Sequence, residues 1–290
     1  MSLFLDSELT PSERSTSARF QVIPVPLERT VSYGSGTANG PAAIIEASNE
    51  LERITVGKEP CAAGIFTQDP LDCEGDLPEV MARLAARTEA AVAAGQIPVT
   101  LGGEHSLSYG AVTGVARALG QPIGLVQIDA HADLRVAYQG NAHSHASVMH
   151  LLAQEGIRLA QFGVRALCQQ EIDSRSANDV FYVDAEDLVV GNLFEIDLPD
   201  DFPELVYVSF DVDGLDPSLM PATGTPVPGG LGYYQALHVK THIDKLREII
   251  GQIDLKEIAD HKVFGIDIEH VIGHTTVDFL LTKRAHAKLR

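Results

Sequence analysis

Short apolar runs and longer amphipathic stretches alternate along this chain. Residues 20–25, 62–66, 97–101, 123–128, 159–164, 180–183, 205–210 and 263–268 are mostly apolar. Unbroken runs of this length predict strands buried on both faces, because a half-exposed strand would alternate apolar with polar. Between them the pattern turns helical. Residues 77–94 set Val80, Leu84, Ala91 and Val92 near one face, in a background of Ala, Glu and Arg. Residues 106–119, 146–155, 233–250 and 277–290 also predict helices, and Pro41 suits the first turn of another. About eight strands alternating with helices imply an α/β domain with a parallel sheet covered on both faces. A closed eightfold barrel is the alternative.

No internal repeat or Pro/Ser-rich linker divides the chain. The reading is a polar, Ser/Thr-rich N-terminal tail over 1–18 and a single domain over 19–290. The Gly-rich stretch from Ser32 to Pro41 lacks the GxGxxG or GKS/T spacing of nucleotide loops, so it reads as a connection that needs positive φ.

Charge narrows the partners. Lys and Arg number 21 against 40 Asp and Glu, a net charge of −19, which disfavours nucleic acid and suits a small cation. Cys61, Cys73 and Cys168 are scattered without a CxxC pair, so a reducing cytoplasm is the simpler setting. The N-terminus lacks a basic start followed by an apolar run, and no apolar stretch approaches membrane-spanning length. No membrane partner is expected.

The chemistry sits where strands end. The run 123–128 leads straight into Asp129-Ala130-His131-Ala132-Asp133. The run 205–210 leads into Asp211-Val212-Asp213, and 97–101 into Gly102-Gly103-Glu104-His105. Each motif alone is better explained by a solvated turn or a satisfied core residue. Three of them at three strand ends describe one shared site, because isolated buried charge is costly. His105, Asp129, His131, Asp133, Asp211 and Asp213 together carry −4, which two divalent cations balance and one does not. Mixed carboxylate and imidazole donors fit Mn²⁺, Fe²⁺ or Zn²⁺. Two such cations lower the pKa of water enough for hydrolysis near neutral pH.

LGGEHS (101–106), DAHAD (129–133) and SFDVDGLDPSLMPATGTPVPGG (209–230) resemble the three signature segments of the ureohydrolases, the family of arginases and agmatinases. Gly36–Pro41 and Gly163-Val164-Arg165 are similar to family positions as well, so the resemblance covers most of the chain. It implies a three-layer α/β/α domain with an eight-stranded, mainly parallel sheet, two Mn²⁺ ions per chain and hydrolysis of a guanidino group to urea and an amine. It implies that His105, Asp129, Asp133 and Asp211 hold one metal, and Asp129, His131, Asp211 and Asp213 the other. His145 matches the family's proton-shuttling histidine, and His145 with Asp133 form the expected catalytic pair. His143 and His150 read as incidental, Asp216-Pro217 as a structural turn, and Thr223–Pro226 as scaffold.

Substrate contacts fall to Asn141 and to Glu269, where the family has Asp-x-x-Glu on its last strand. This chain reads Asp267-Ile268-Glu269-His270, so His270 fills that place without a gap and Glu269 fills it after a one-residue deletion. Glu104 is similar to agmatinases, whereas Ala222 in the third segment is similar to arginases. Agmatine, cationic at both ends, is the expected substrate. Arginine, other guanidino acids, formimino compounds, or a silent metal-binding homologue are the alternatives. Trimers or hexamers are usual in the family.

Overall fold

The computed structural model describes residues 2–54, 59–193, 196–238 and 276–282. Eight strands form one open sheet: β1 (Phe20–Val25), β2 (Ile65–Thr67), β3 (Ile97–Gly102), β4 (Gly124–Ile128), β5 (Arg158–Phe162), β6 (Phe181–Val183), β7 (Leu205–Asp211) and β8 (Thr276–Thr282). Their order is β2-β1-β3-β8-β7-β4-β5-β6. With β2 and β6 left as edges, the closed barrel is ruled out. Pairing is parallel except at β8, which runs antiparallel to both β3 and β7.

Among the described residues, seven helices accompany the strands: α1 (Gly40–Ala47), α2 (Leu77–Ala93), α3 (Ser108–Leu119), α4 (Val148–Gln154), α5 (Gln169–Ala177), α6 (Ala185–Val189) and α7 (Tyr233–His238). Alternation along the strands shows why the sheet is covered twice. Val22, Val126, Ala160, Val206 and Val208 enter one apolar cluster with Ile45 of α1, Leu188 of α6 and Ala236 of α7. Their neighbours Ile23, Leu125, Leu159 and Tyr207 enter another, with Leu84 of α2, Val112 of α3 and Met149 of α4. Successive side chains point to opposite faces of a strand, so strands apolar at every position need helices on both sides. This is the three-layer α/β/α arrangement.

Helix α2 starts where Asp76 accepts a hydrogen bond from the Glu79 amide at 2.9 Å. It packs closely on α3 through glycine. A Cβ at Gly114 would lie 2.2 Å from both the Ala85 carbonyl oxygen and Thr88 Oγ1.

Three expectations change. Residues 276–282 form the central strand β8 and not the start of a helix. The run Thr-Val-Asp-Phe-Leu-Leu-Thr is rich in strand formers, and a short apolar run cannot be told from a helix by its periodicity. The segment read as a tail lies on the domain, with Leu5 and Leu9 buried in the first cluster and the Leu5 amide bonded to Ser48 Oγ at 2.8 Å. The strand expected over 62–66 starts only at Ile65, because 60–63 form a 3₁₀ turn closed by Gly64 at φ 82°. The strand expected at 263–268, Glu269, His270 and residues 239–250 lie outside the described residues. Among the described residues, no helix is long and apolar enough to cross a membrane.

Candidate metal centre

The carboxyl ends of parallel strands in an open α/β sheet are where ligands bind, and β3, β4 and β7 all deliver their acidic and imidazole groups there. His105 follows β3, the segment 129–133 follows β4, and Asp211 ends β7 with Asp213 in the next turn. Glu104, His105, Asp129, Asp133, Asp211 and Asp213 are buried, and His131 keeps about a quarter of its side chain exposed.

Two groupings result. Nδ1 of His105 lies 3.1 Å from Asp129 Oδ2, 2.9 Å from Asp133 Oδ2 and 3.6 Å from Asp211 Oδ2. Nδ1 of His131 lies 3.5 Å from Asp129 Oδ1 and 3.1 Å from Asp213 Oδ2. Ligand atoms of His105, Asp129 and Asp211 fall within 4.8 Å of one another, and so do those of Asp129, His131 and Asp213. Asp129 belongs to both sets, one oxygen facing each histidine. All six residues named from the sequence are therefore brought together.

The backbone holds them by local devices. Asp129 Oδ1 accepts from the His131 amide at 2.7 Å, Asp213 Oδ1 from the Ala130 amide at 3.0 Å, and Asp211 Oδ1 from the Asp213 amide at 3.0 Å. The second oxygens of Asp211 and Asp213 face His105 and His131, and Asp129 Oδ2 faces His105 while also accepting from Gln127 Nε2. Asp133 sits at φ 52°, a left-handed conformation that Asp tolerates better than most residues. Its carbonyl accepts from the Met149 amide at 3.0 Å. Arg165 ties the far wall by donating to the carbonyls of Asp213, Leu215 and Val227 at 2.7, 3.1 and 2.7 Å.

Electrostatics show a site short of positive charge. Burial opposes protonation of His105, yet Asp129 and Asp133 outweigh it and hold its pKa well above the ordinary value. His131 is likewise pushed up to about 11, burial being overcome by Asp129 and Asp213. Burial, and then the Asp129 charge, lift Asp133 to about 6. A divalent cation answers the same demand better than a proton. The test is Nδ1 of His105, a buried nitrogen that makes no well-directed hydrogen bond although carboxylate oxygens of Asp129 and Asp133 lie within 3.1 Å of it. Its other nitrogen, Nε2, lies 2.8 Å from Ser209 Oγ. With the proton on Nε2, the Nδ1 lone pair points among three carboxylates, an arrangement that makes sense for a metal ligand oriented by its outer nitrogen. The residues fit a metal.

A buried polar chain reaches Asp129 from behind. Arg175, on α5, donates from Nε to Gln161 Oε1 at 2.9 Å and holds both Asp184 oxygens at 3.1 and 2.9 Å. Gln161 Nε2 donates to Gln127 Oε1 at 2.6 Å, and Gln127 Nε2 to Asp129 Oδ2 at 2.8 Å.

His145 stands apart from the ligand groupings. Its ring meets Thr30 Oγ1 at 3.1 Å and Ser32 Oγ at 2.9 Å, and Tyr138 stands edge-on at 5.7 Å. Asn141 closes a tight turn with Tyr138, through Gln139 and Gly140 at positive φ, and its Oδ1 accepts from the His143 amide at 2.9 Å. His143 and His150 join neither grouping. Asp216 is a turn residue, as expected: Ser218, Gly229 and Gly230 all donate to it, and the Ser218 bonds lead in holding its pKa near about 2. Thr225 does more than scaffold, since its hydroxyl lies 3.4 Å from Asp213 Oδ2. Sequence reading passed over Thr30, Ser32, Gln127 and Gln161. A glutamine inside each of two apolar strand runs was the one available sign.

The arginase family model matches residues 18–262. The chain belongs to the arginase family. It is thus a hydrolase of amidine carbon–nitrogen bonds, of the metal-dependent kind that its donor set fits. Among curated members of the family, it is 35% identical over 266 residues to the N(1)-aminopropylagmatine ureohydrolase of Synechocystis sp., covering 88% of this chain and 86% of that protein. It is 33% identical to the agmatinase of Pyrococcus horikoshii, covering 89% of each. Among solved family structures, the agmatine ureohydrolase of Thermoplasma volcanium superposes with a TM-score of 0.69 at 30% identity, covering 81% of this chain and 80% of that one.

Proposed function

We propose that the chain hydrolyses the guanidino group of a small aliphatic dication, agmatine foremost, to urea and a primary amine. The observation that carries this reading is the pair of donor groupings joined by Asp129, with His145 held to one side of them. His105, Asp129, Asp133 and Asp211 would hold one cation, and Asp129, His131, Asp211 and Asp213 the other. Carboxylate and imidazole donors suit Mn²⁺. When bound, such a cation pair supplies Lewis-acid activation of water at neutral pH.

The chain's own groups do the rest. His145 delivers a proton to the amine as the carbon–nitrogen bond breaks, a role that fits an imidazole near neutral pH. Asp133, whose Oδ2 lies 2.9 Å from Nδ1 of His105, is the second catalytic residue in this reading. Glu269 takes the guanidinium, since a carboxylate accepts two parallel hydrogen bonds and supplies opposite charge. Asn141, in the Tyr138 turn, is assigned a contact with the substrate in this reading. A net charge of −19 favours a polycation over an amino acid.

N(1)-aminopropylagmatine is the second reading, because relatives so named share 35% of their residues with this chain. A cytoplasmic location and a trimeric or hexameric assembly belong to the same proposal, the former supported by three cysteines that form no disulfide. The test is urea release with added Mn²⁺ across agmatine, N(1)-aminopropylagmatine, arginine, guanidinobutyrate and guanidinopropionate. Highest kcat/KM on agmatine supports the proposal. No urea from any of them, with two cations bound, makes the chain a silent homologue.

A further inference from the structure

Thr30 lies 115 residues from His145 in sequence, yet its hydroxyl touches that histidine twice. A threonine hydroxyl has one hydrogen to give and two lone pairs to accept with. The direction of each of its contacts can therefore be worked out from the far end.

That end is Glu104, which is fully buried. Oε2 accepts from the backbone amides of Arg29 and of Thr30, the latter at 2.6 Å. Oε1 accepts from Ser106 Oγ at 2.6 Å and Thr30 Oγ1 at 2.7 Å. A carboxylate has room for four donors, and Glu104 has four. The Thr30 hydrogen is thereby spent on Glu104. Towards His145 the hydroxyl oxygen can only accept, and two groups face it: the His145 backbone amide at 3.0 Å and ring Nδ1 at 3.1 Å. A bare Nδ1 there would set lone pair against lone pair. Ser144 Oγ, 3.3 Å from the same nitrogen, opposes this only through the longer contact.

We infer that Glu104 and Thr30 are positioning residues that hold neutral His145 as its Nδ1–H tautomer and so keep Nε2, facing Ser32 Oγ, bare to take up the proton released by the attacking water and pass it to the leaving amine. The catalytic meaning rests on the role proposed for His145, but the tautomer does not. A buried carboxylate that fixes an imidazole through its inner nitrogen is a familiar arrangement for acid–base histidines; here a threonine is interposed.

Glu104→Gln makes the inference sharp. The two backbone amides demand an acceptor at the Oε2 position, so the glutamine oxygen must lie there. Its NH₂ then falls at the Oε1 position and donates to Thr30. The Thr30 hydrogen is released towards His145, and the polarity of the relay reverses without loss of shape. Long-range ¹H–¹⁵N correlation spectra of full-length protein, loaded with diamagnetic Zn²⁺ and with His145 assigned through His145→Asn, read the tautomer directly. Wild type and Thr30→Ser should show Nδ1–H, whereas Glu104→Gln and Thr30→Val should move His145 towards Nε2–H. Both of the latter should lower kcat on the order of 10²-fold with little change in KM, the scale of a lost acid–base group, because Nε2 is then already protonated and cannot take up the proton it must pass on. An Nε2–H tautomer in wild type overturns the inference, even if a variant fails to fold. So does an Nδ1–H tautomer that survives Glu104→Gln. The expected tautomers with no urea from any guanidine would instead retire the proposed reaction and leave the relay standing.

Discussion

Replacing Arg175 with methionine should cost about 2.5–5 kcal/mol, the summed worth of three interactions made by its guanidinium. Arg175 is 3% exposed. Its bond to Gln161 Oε1, 2.9 Å long, is charge-assisted and buried, a class with a net worth of about 1.5–3 kcal/mol. Its bidentate pair with Asp184 counts for less, since the Asp184 side chain is 31% exposed and water would take over: about 0.5–1 kcal/mol. The guanidinium also stands 4.2 Å over the Tyr182 ring, an interaction on the order of 0.5–1 kcal/mol. Methionine keeps much of the stem's packing and none of these. Urea unfolding should show the midpoint falling at unchanged m. Asp184→Asn should lose only about 1 kcal/mol by the same bookkeeping. A second readout is the metal site: Gln161 loses the partner that orients its amide towards Gln127, which in turn donates to Asp129, and outer supports of this kind change metal affinity by about 10–100-fold. If Arg175→Met stays within 1 kcal/mol of wild type, or if Asp184→Asn costs as much, the relay is not what holds this part of the core.

Asp213→Ala should reduce bound Mn²⁺ from two equivalents to one after desalting, measured by elemental analysis; unchanged content would remove Asp213 from the ligand set. His145→Asn should cut turnover by about 10²–10⁴-fold with metal content retained, and loss of metal would move His145 into that set. Gly114→Ala drives a methyl group into Ala85 and Thr88, so about 1–3 kcal/mol of stability should disappear in a denaturant titration; a neutral result would show that α2 and α3 can separate freely. Glu269→Gln should suppress urea release more than His270→Ala does, and the reverse ranking would place His270 at the substrate.

The sheet was legible because its strands are buried on both sides. Such strands need apolar residues at every position, and the runs at 97–101, 123–128 and 205–210 stand out for that reason. The six acidic and imidazole residues were legible because they interrupt those runs at one end, where an unpaired charge would otherwise be costly. Direction was not legible at 276–282. A strand's sense in a sheet is set by its neighbours, and nothing in Thr276 to Thr282 records that β3 and β7 run opposite to it. Nor was Thr30 legible, since a hydroxyl in a loop announces no partner and its two partners lie 74 and 115 residues away. Leu5 and Leu9 were hidden by their setting, two apolar residues in a stretch otherwise polar enough to pass for solvent-borne.

The chain of amides behind Asp129 has a consequence for how this sequence can evolve. Arginine can only donate and an ionised carboxylate can only accept, so the flow of hydrogens from Arg175 through Gln161 and Gln127 is fixed at both ends. Glutamate at 161 would satisfy Arg175 but leave Gln127 Oε1 without its donor. Glutamate at 127 would set a second carboxylate against Asp129. Each single step is penalised by its neighbours, and a tolerated path must change at least two of these positions together. Positions 127, 161 and 175 should therefore show epistasis: variants at one site neutral or harmful according to the residue at the next, and descendants that keep all three or replace them as a set.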